Sequence, residues 1–373
     1  ARYDQVVDNL ISTFNNKNLN SKVMTQRERP SQLLLLVNSL YNIKRYSECM
    51  QWAEASLHEA VLYYKRVSTL QLRQDWAATL VSLFECIDRI MVEDENILPS
   101  LTHGHLVRLA HSLVTVIEIS LDVAESVTEM PIGSLLPWKL LYRVLRFEEI
   151  SCDLNKQKDL NQESLQRDAE QHNQEEKELR NSLLMLKQAH EYLGRHSWCT
   201  NSDGALLLFI MMVVEKEMEG RSDDDLEELT SIFEQCVYCL YGHPNKRGRA
   251  KHLNDHNCSQ VTLTWERSGT VFHHFATQSV PEFDSYKTST VTADVENLLR
   301  RIFALVPEKI NPNQGLAAIT DYIEGSANSV STIPAMTIDK NLDPYNISGL
   351  LYYLLGDFYF KSRNKPKQSN FTS

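Results

Sequence analysis

Glycine is the scarce residue in this chain, with 12 in 373, well below the ~7% of an ordinary soluble protein. Turns and phosphate cradles that depend on glycine are few, and tight β-hairpins do not dominate. No G-x-G-x-x-G, P-loop, H-E-x-x-H or G-x-S-x-G string occurs. The local arrangements that hold a dinucleotide, a nucleotide phosphate, a catalytic zinc or a strained serine nucleophile are therefore missing, and no enzymatic activity or cofactor is expected. Long apolar runs are missing as well. The longest, Ala205 to Val214, has ten residues, about half of the ~20 that a bilayer-spanning helix needs. It reads as a buried helix, and no membrane association is expected. Nor is there an excess of positive charge: 38 Lys and Arg face 49 Asp and Glu, for a net charge of -11. That balance argues against a basic nucleic-acid surface, so no direct nucleic-acid contact is expected, and it suits a partner with basic surfaces. The seven cysteines are odd in number and follow no framework spacing, which points to a reducing compartment. The chain begins at Ala1 rather than methionine and reads as a portion of a longer protein, so missing targeting signals carry no information.

What is present is helical periodicity. Val6, Val7, Leu10 and Phe14 follow the i, i+3, i+4 pattern of one buried helix face. Pro30-Ser31 opens a second run, with Leu33, Leu36, Val37, Leu40 and Ile43 on one side. Another helix follows from Ser47, with Met50, Ala53, Leu57, Val61 and Leu62. The same spacing predicts helices over Leu70–Met91, His103–Val123, Pro137–Ile150, Leu179–Leu193, Ala205–Glu217 and Asp223–Tyr241, the last capped by Ser222. Residues 155–182 hold five Lys or Arg and seven Asp or Glu among few apolar residues. They read as a charged helix or linker, and as the best candidate for a domain boundary. Val261–Phe275 reads as a helix, although Thr262, Thr264 and Thr270 also suit a strand. Thr292 caps a helix through Leu305 that Pro307 stops. Leu316–Ile323 is a short helix and Ile347–Lys361 a strongly apolar one. A chain of 373 residues exceeds the ~250–300 that one core supports. The expectation is all-α, built as an elongated stack of helical pairs: 1–154, the charged 155–182, 183–325 with a loop near 243–258, and a last partial unit over 345–373.

The stretch Leu36 to Leu57, LVNSLYNIKRYSECMQWAEASL, resembles a tetratricopeptide repeat, a helix–turn–helix unit of ~34 residues, here spanning about 30–64. Leu36 and Leu40 take the large positions of the first helix, Arg45-Tyr46 ends the turn, and Cys49, Ala53 and Ser56 take the small positions of the second. Val37 and Lys44 depart from the pattern, since glycine is usual at both. Leu355-Gly356-Asp357-Phe358-Tyr359-Phe360 carries a second first-helix signature. Beyond the repeat, the strings LYYLLGDFYFK, PEFDSYKTST, FEQCVYCLYGHP and NSLYNIKRYSECMQWAEASLHEAV resemble the calcineurin-binding Cabin family over most of residues 30–360. The resemblance implies a nuclear scaffold with tetratricopeptide-like repeats, working in the HIRA histone chaperone complex that deposits histones outside DNA replication. Other subunits of that complex, and histones, are then the expected partners. Two alternatives stand beside this reading: a tetratricopeptide peptide-binding adaptor outside chromatin, and a zinc-dependent nucleic-acid-binding module.

If the repeats present a concave binding face, the first match would turn Leu34, Asn38, Tyr41 and Asn42 toward it, and the last would turn Tyr353, Asp357 and Phe360. The basic loop Lys246, Arg247, Arg249 and Lys251 could meet phosphate or an acidic partner. Cys236-x2-Cys239-x12-His252-x3-His256 has the ligand spacing of a two-cysteine, two-histidine finger. A finger also needs a Phe and a Leu for its small core. His243 and Arg249 stand at those positions, and both cysteines lie within a helical pattern beside Ile232 and Phe233. The expectation taken is therefore core cysteines next to a polar loop, without a metal.

Overall fold

The computed structural model describes residues 2–15, 28–124, 126–160, 179–219, 226–242, 256, 258–276, 289–306 and 347–363. Helices dominate them, and no strand occurs among them. They are α1 (Tyr3–Asn15), α2 (Arg29–Asn42), α3 (Tyr46–Arg66), α4 (Leu70–Glu93), the single turn α5 (Ile97–Ser100), α6 (His103–Leu121), α7 (Leu136–Leu160), α8 (Asn181–Arg195), α9 (Asn201–Met218), α10 (Leu226–Tyr241), α11 (Trp265–Phe275), α12 (Ala293–Leu305) and α13 (Ser348–Arg363). The all-α expectation is met. Helix ends fall where local chemistry puts them. Pro30 sits in the first turn of α2, where its missing N–H costs nothing. Thr102 and Thr292 accept hydrogen bonds from His105 N and Val295 N, capping α6 and α12. The threonines before Trp265 form no strand; Thr264 is an extended residue ahead of α11. Ser222 and Leu316–Ile323 lie outside the described residues.

The helical hairpin α2–α3 shows why small and large residues alternate. Cys49, Ala53 and Ser56 of α3 are buried, as are Leu33, Leu36 and Leu40 of α2. The approach is close enough for the Cys49 thiol to donate to the Val37 carbonyl at 3.2 Å. Between the helices, Arg45 N bonds to Leu40 O at 3.1 Å and Lys44 N to Tyr41 O at 3.0 Å. This is the paired hydrogen-bond pattern of a Schellman turn, and Lys44 sits at its left-handed position with φ of 59°. Glycine takes that conformation without a Cβ penalty, which accounts for the glycine usual there. A third helix completes the burial: α4 packs on both α2 and α3. Its Trp76 stacks on Tyr63 with centroids 5.0 Å apart.

Ion pairs fix how the later helices lie on these. Arg108 of α6 grips the fully buried Glu54 of α3 with two hydrogen bonds of 2.5 Å. Asp88 of α4 takes Lys139 and Arg143 of α7, at 3.1 and 3.0 Å. Glu149 of α7 accepts from Ser182 N and Ser182 Oγ, at 2.9 and 2.7 Å, and so closes the start of α8. The chain divides into two compact units, residues 1–240 with 250–260, and residues 241–249 with 261–373. The division falls after α10. Of the charged stretch 155–182, expected as the boundary, residues 161–178 lie outside the described residues; the flanking α7 and α8 both belong to the first unit and pack on each other. In the second unit α12 packs on both α11 and α13.

Truncating Leu36 to alanine is expected to cost about 2–5 kcal/mol, as for other fully buried leucines. Lys44→Gly is expected to raise stability by up to about 1 kcal/mol, because it removes left-handed strain from a non-glycine residue. Urea unfolding followed by circular dichroism checks both. A Lys44→Gly protein less stable than the parent would contradict the turn geometry.

Candidate functional site

The residues expected on a concave face separate into exposed and structural ones. In α2, Asn38 and Asn42 are exposed, and Leu34 and Tyr41 are half-buried. The Tyr41 ring is already engaged, with the Arg89 guanidinium over it at 4.7 Å and the Tyr46 ring at 5.6 Å. In α13, within the second unit, Phe360 is exposed and Tyr353 half-buried. Asp357 requires a correction. It is fully buried, its carboxylate pairs with the Lys361 ammonium at 2.6 Å, and Ser289 Oγ donates to it at 3.0 Å. A carboxylate committed to two partners inside the unit holds the helix in place and is not presented to another protein. The basic loop Lys246, Arg247, Arg249 and Lys251, and the expected metal candidate His252, lie outside the described residues. Among the described residues, no helix is long and apolar enough to cross a membrane.

The sharper constellation is one that the finger spacing only half indicated. The side chains of His190, Cys199, Cys239 and His256 converge, all four buried, with one nitrogen or sulfur of each within 4.8 Å of the others. His190 Nε2 is 3.3 Å from Cys239 Sγ, which is 3.5 Å from His256 Nδ1. The two imidazoles meet edge to face, with centroids 5.2 Å apart. Two more thiols flank the group. Cys236 Sγ lies 3.9 Å from the far nitrogen of His190, Nδ1, and the half-buried Cys258 points at the Cys239 carbonyl, 3.7 Å away. Hydrogen bonding with Cys239 and Cys258, followed by burial, pushes the Cys199 thiol far above its ordinary range. Hydrogen bonds with Cys199 and Cys239 hold the Cys258 thiol below it. Burial, the larger cause, and the nearby Cys199 push the Cys236 thiol up.

Local structure explains how residues so far apart in sequence meet. His190 stands on α8, one turn before its end. There Trp198 N bonds to Leu193 O and Ser197 N to Gly194 O, both at 2.9 Å, and Ser197 has φ of 64°. This second Schellman turn reverses the chain and returns Cys199 toward His190. Just beyond it Ser202, Asp203 and Gly204 all take left-handed conformations, and regular helix resumes at Ala205. Cys236 and Cys239 lie one turn apart on α10, and His256 arrives from the segment that follows it. The His256 ring lies directly on the Cα of Gly194, where any Cβ would overlap it. Of the four residues in the finger spacing, Cys239 and His256 belong to the cluster and Cys236 flanks it. His190 and Cys199 were not anticipated. The available signal was a glycine at the end of α8 in a glycine-poor chain, marking a close approach.

No protein-family model matches the chain.

Asp357→Ala is expected to destabilise the protein by about 3–5 kcal/mol, because it breaks the buried pair with Lys361. Thermal unfolding measures this, and an unchanged midpoint would return Asp357 to the list of surface candidates.

Proposed function

We propose that this chain is a non-enzymatic scaffold module of a nuclear histone chaperone complex for replication-independent nucleosome assembly. In this reading it is a tetratricopeptide-like helical-repeat solenoid of the Cabin kind and binds its protein partners through helical-repeat surfaces. The partners are other subunits of the HIRA complex, together with histones, whose basic surfaces suit a net charge of -11. The observation that most supports the reading is the α2–α3 hairpin. Its small residues Cys49, Ala53 and Ser56 are buried, as are Leu33, Leu36 and Leu40, in a unit whose sequence resembles the repeat. Further support comes from the left-handed Lys44 at the turn position where that repeat carries glycine, and from the family-like strings over residues 30–360. A scaffold of this kind binds by broad complementarity, with a few exposed anchors dominating the energy. Asn38, Asn42 and Phe360 are the exposed members of the two candidate sets.

The test mixes the purified chain with each chaperone subunit and, separately, with histones, at low and high salt. Binding to at least one subunit is expected, and histone binding that weakens as salt rises would mark the acidic surface at work. Asn38→Arg or Phe360→Ala is expected to weaken binding about tenfold or more, the mark of an anchor residue, with helicity unchanged. A well-folded chain that binds no subunit and no histone would contradict the proposal.

A further inference from the structure

We propose that His190, Cys199, Cys239 and His256 form a structural zinc site that staples the end of α8 to α10 and to the segment that follows it. The proposal rests on the geometry, chemistry and burial of the group and stands independently of the partner reading. Four ligands on zinc with Zn–S of about 2.3 Å and Zn–N of about 2.0–2.1 Å span ligand–ligand edges of about 3.3–3.8 Å in a tetrahedron. The four side-chain atoms lie within 4.8 Å of one another, and the 3.3 and 3.5 Å separations around Cys239 Sγ are already near tetrahedral edges. Small rotations of the side chains complete the rest. Two sulfurs and two imidazole nitrogens form a donor set typical of zinc, not of magnesium or calcium, which take oxygen ligands. All four residues are buried, so the coordination sphere is closed and has no position for substrate. That distinguishes a structural zinc from a catalytic one.

Charge decides which of the flanking thiols take part. Binding converts the Cys199 and Cys239 thiols to thiolates and releases two protons to solvent, while both histidines bind as neutral imidazoles. The product, one dication with two thiolates, is neutral, and a neutral complex avoids the heavy desolvation cost of a buried net charge. Exchanging a histidine for Cys258 would leave a net negative charge in the same buried space. Cys236 instead sits 3.9 Å from His190 Nδ1, on the side of the ring away from Cys239. It is placed to receive the N–H that a metal-bound imidazole turns outward, the outer contact that fixes such a ring. Gly194 completes the site, because only a residue without a Cβ lets His256 lie this close to α8. The arrangement is unlike the finger spacing. Its ligands come from a helix, a turn, a second helix and a following segment, with no hairpin.

The experiment measures metal in the full chain, purified under reducing conditions without chelator, by elemental analysis. One zinc per chain is expected, lost in the Cys199→Ser/Cys239→Ser double variant and kept in Cys152→Ser, an exposed cysteine outside the group. Because the double variant could unfold, cobalt is also titrated into the stripped wild-type protein. The expected spectrum has intense visible bands of tetrahedral cobalt with thiolate charge transfer in the near ultraviolet, and two protons released per metal. Gly194→Ala gives a third reading. The added Cβ would overlap the His256 ring, so this variant is expected to displace His256 and lose zinc while circular dichroism shows its helices intact. The proposal is overturned by a folded wild-type chain that carries far less than one zinc and gives no tetrahedral cobalt spectrum. It is equally overturned by zinc retained in the double variant, or by a Cys199–Cys239 disulfide in the native protein. Full zinc retention in a folded Gly194→Ala protein equally contradicts the four-ligand site.

Discussion

Two helices approach most closely where at least one of them carries small residues at the contact. Even then, a pair leaves an apolar face uncovered. Most of the first unit follows from that constraint. Cys49, Ala53 and Ser56 let α3 lie close to α2, and α4 then covers both. Trp76 closes over Tyr63, and Arg89 reaches back over Tyr41. The pattern continues as α6 packs on α3, and α7 packs on α4 and α6. Each added helix covers apolar surface left by the ones before it.

Apolar packing is tolerant of sliding and rotation, whereas a buried charge is not. Glu54 is fully buried beneath Arg108. Asp88 draws two cations from α7, and the carboxylate of Glu149, on α7, accepts from Ser182 in the first turn of α8. Each pair offsets its own desolvation only in one geometry, so the pairs act as register marks between helices that periodic leucines would leave free to slip. In the second unit, Asp357 of α13 is held both within its own helix by Lys361 and from outside it by Ser289 Oγ. The Cys/His cluster is the corresponding device at the end of the first unit. There, α10 also meets α8 through the more exposed Lys187–Glu228 pair.

The helices were legible because their information is local. Period, caps and proline positions predict α2, α4, α6 and α12 within a few residues, and Thr292 caps α12 as its position implied. Two things were not legible, for physical reasons. The charged stretch 155–182 resembles a linker by composition, but composition does not reveal that α7 and α8 find each other across it. The cluster was hidden because a linear motif describes ligands presented by one compact hairpin. Here the turn at Ser197 brings Cys199 back to His190, a tertiary event that spacing does not encode. Asp357 was misplaced for a related reason. The repeat pattern assigns it a face of the helix, but Ser289 and Lys361, not the pattern, determine what meets that face.

The central claim is that the stack, not the individual hairpin, is the folding unit. Circular dichroism of a peptide covering residues 28–66, the α2–α3 hairpin without α4, tests it most directly. The expected result is a largely unfolded spectrum with no cooperative thermal transition, because Tyr63 and the outer face of the pair have lost their cover. A helical peptide that melts cooperatively at the temperature of the intact protein would contradict the account.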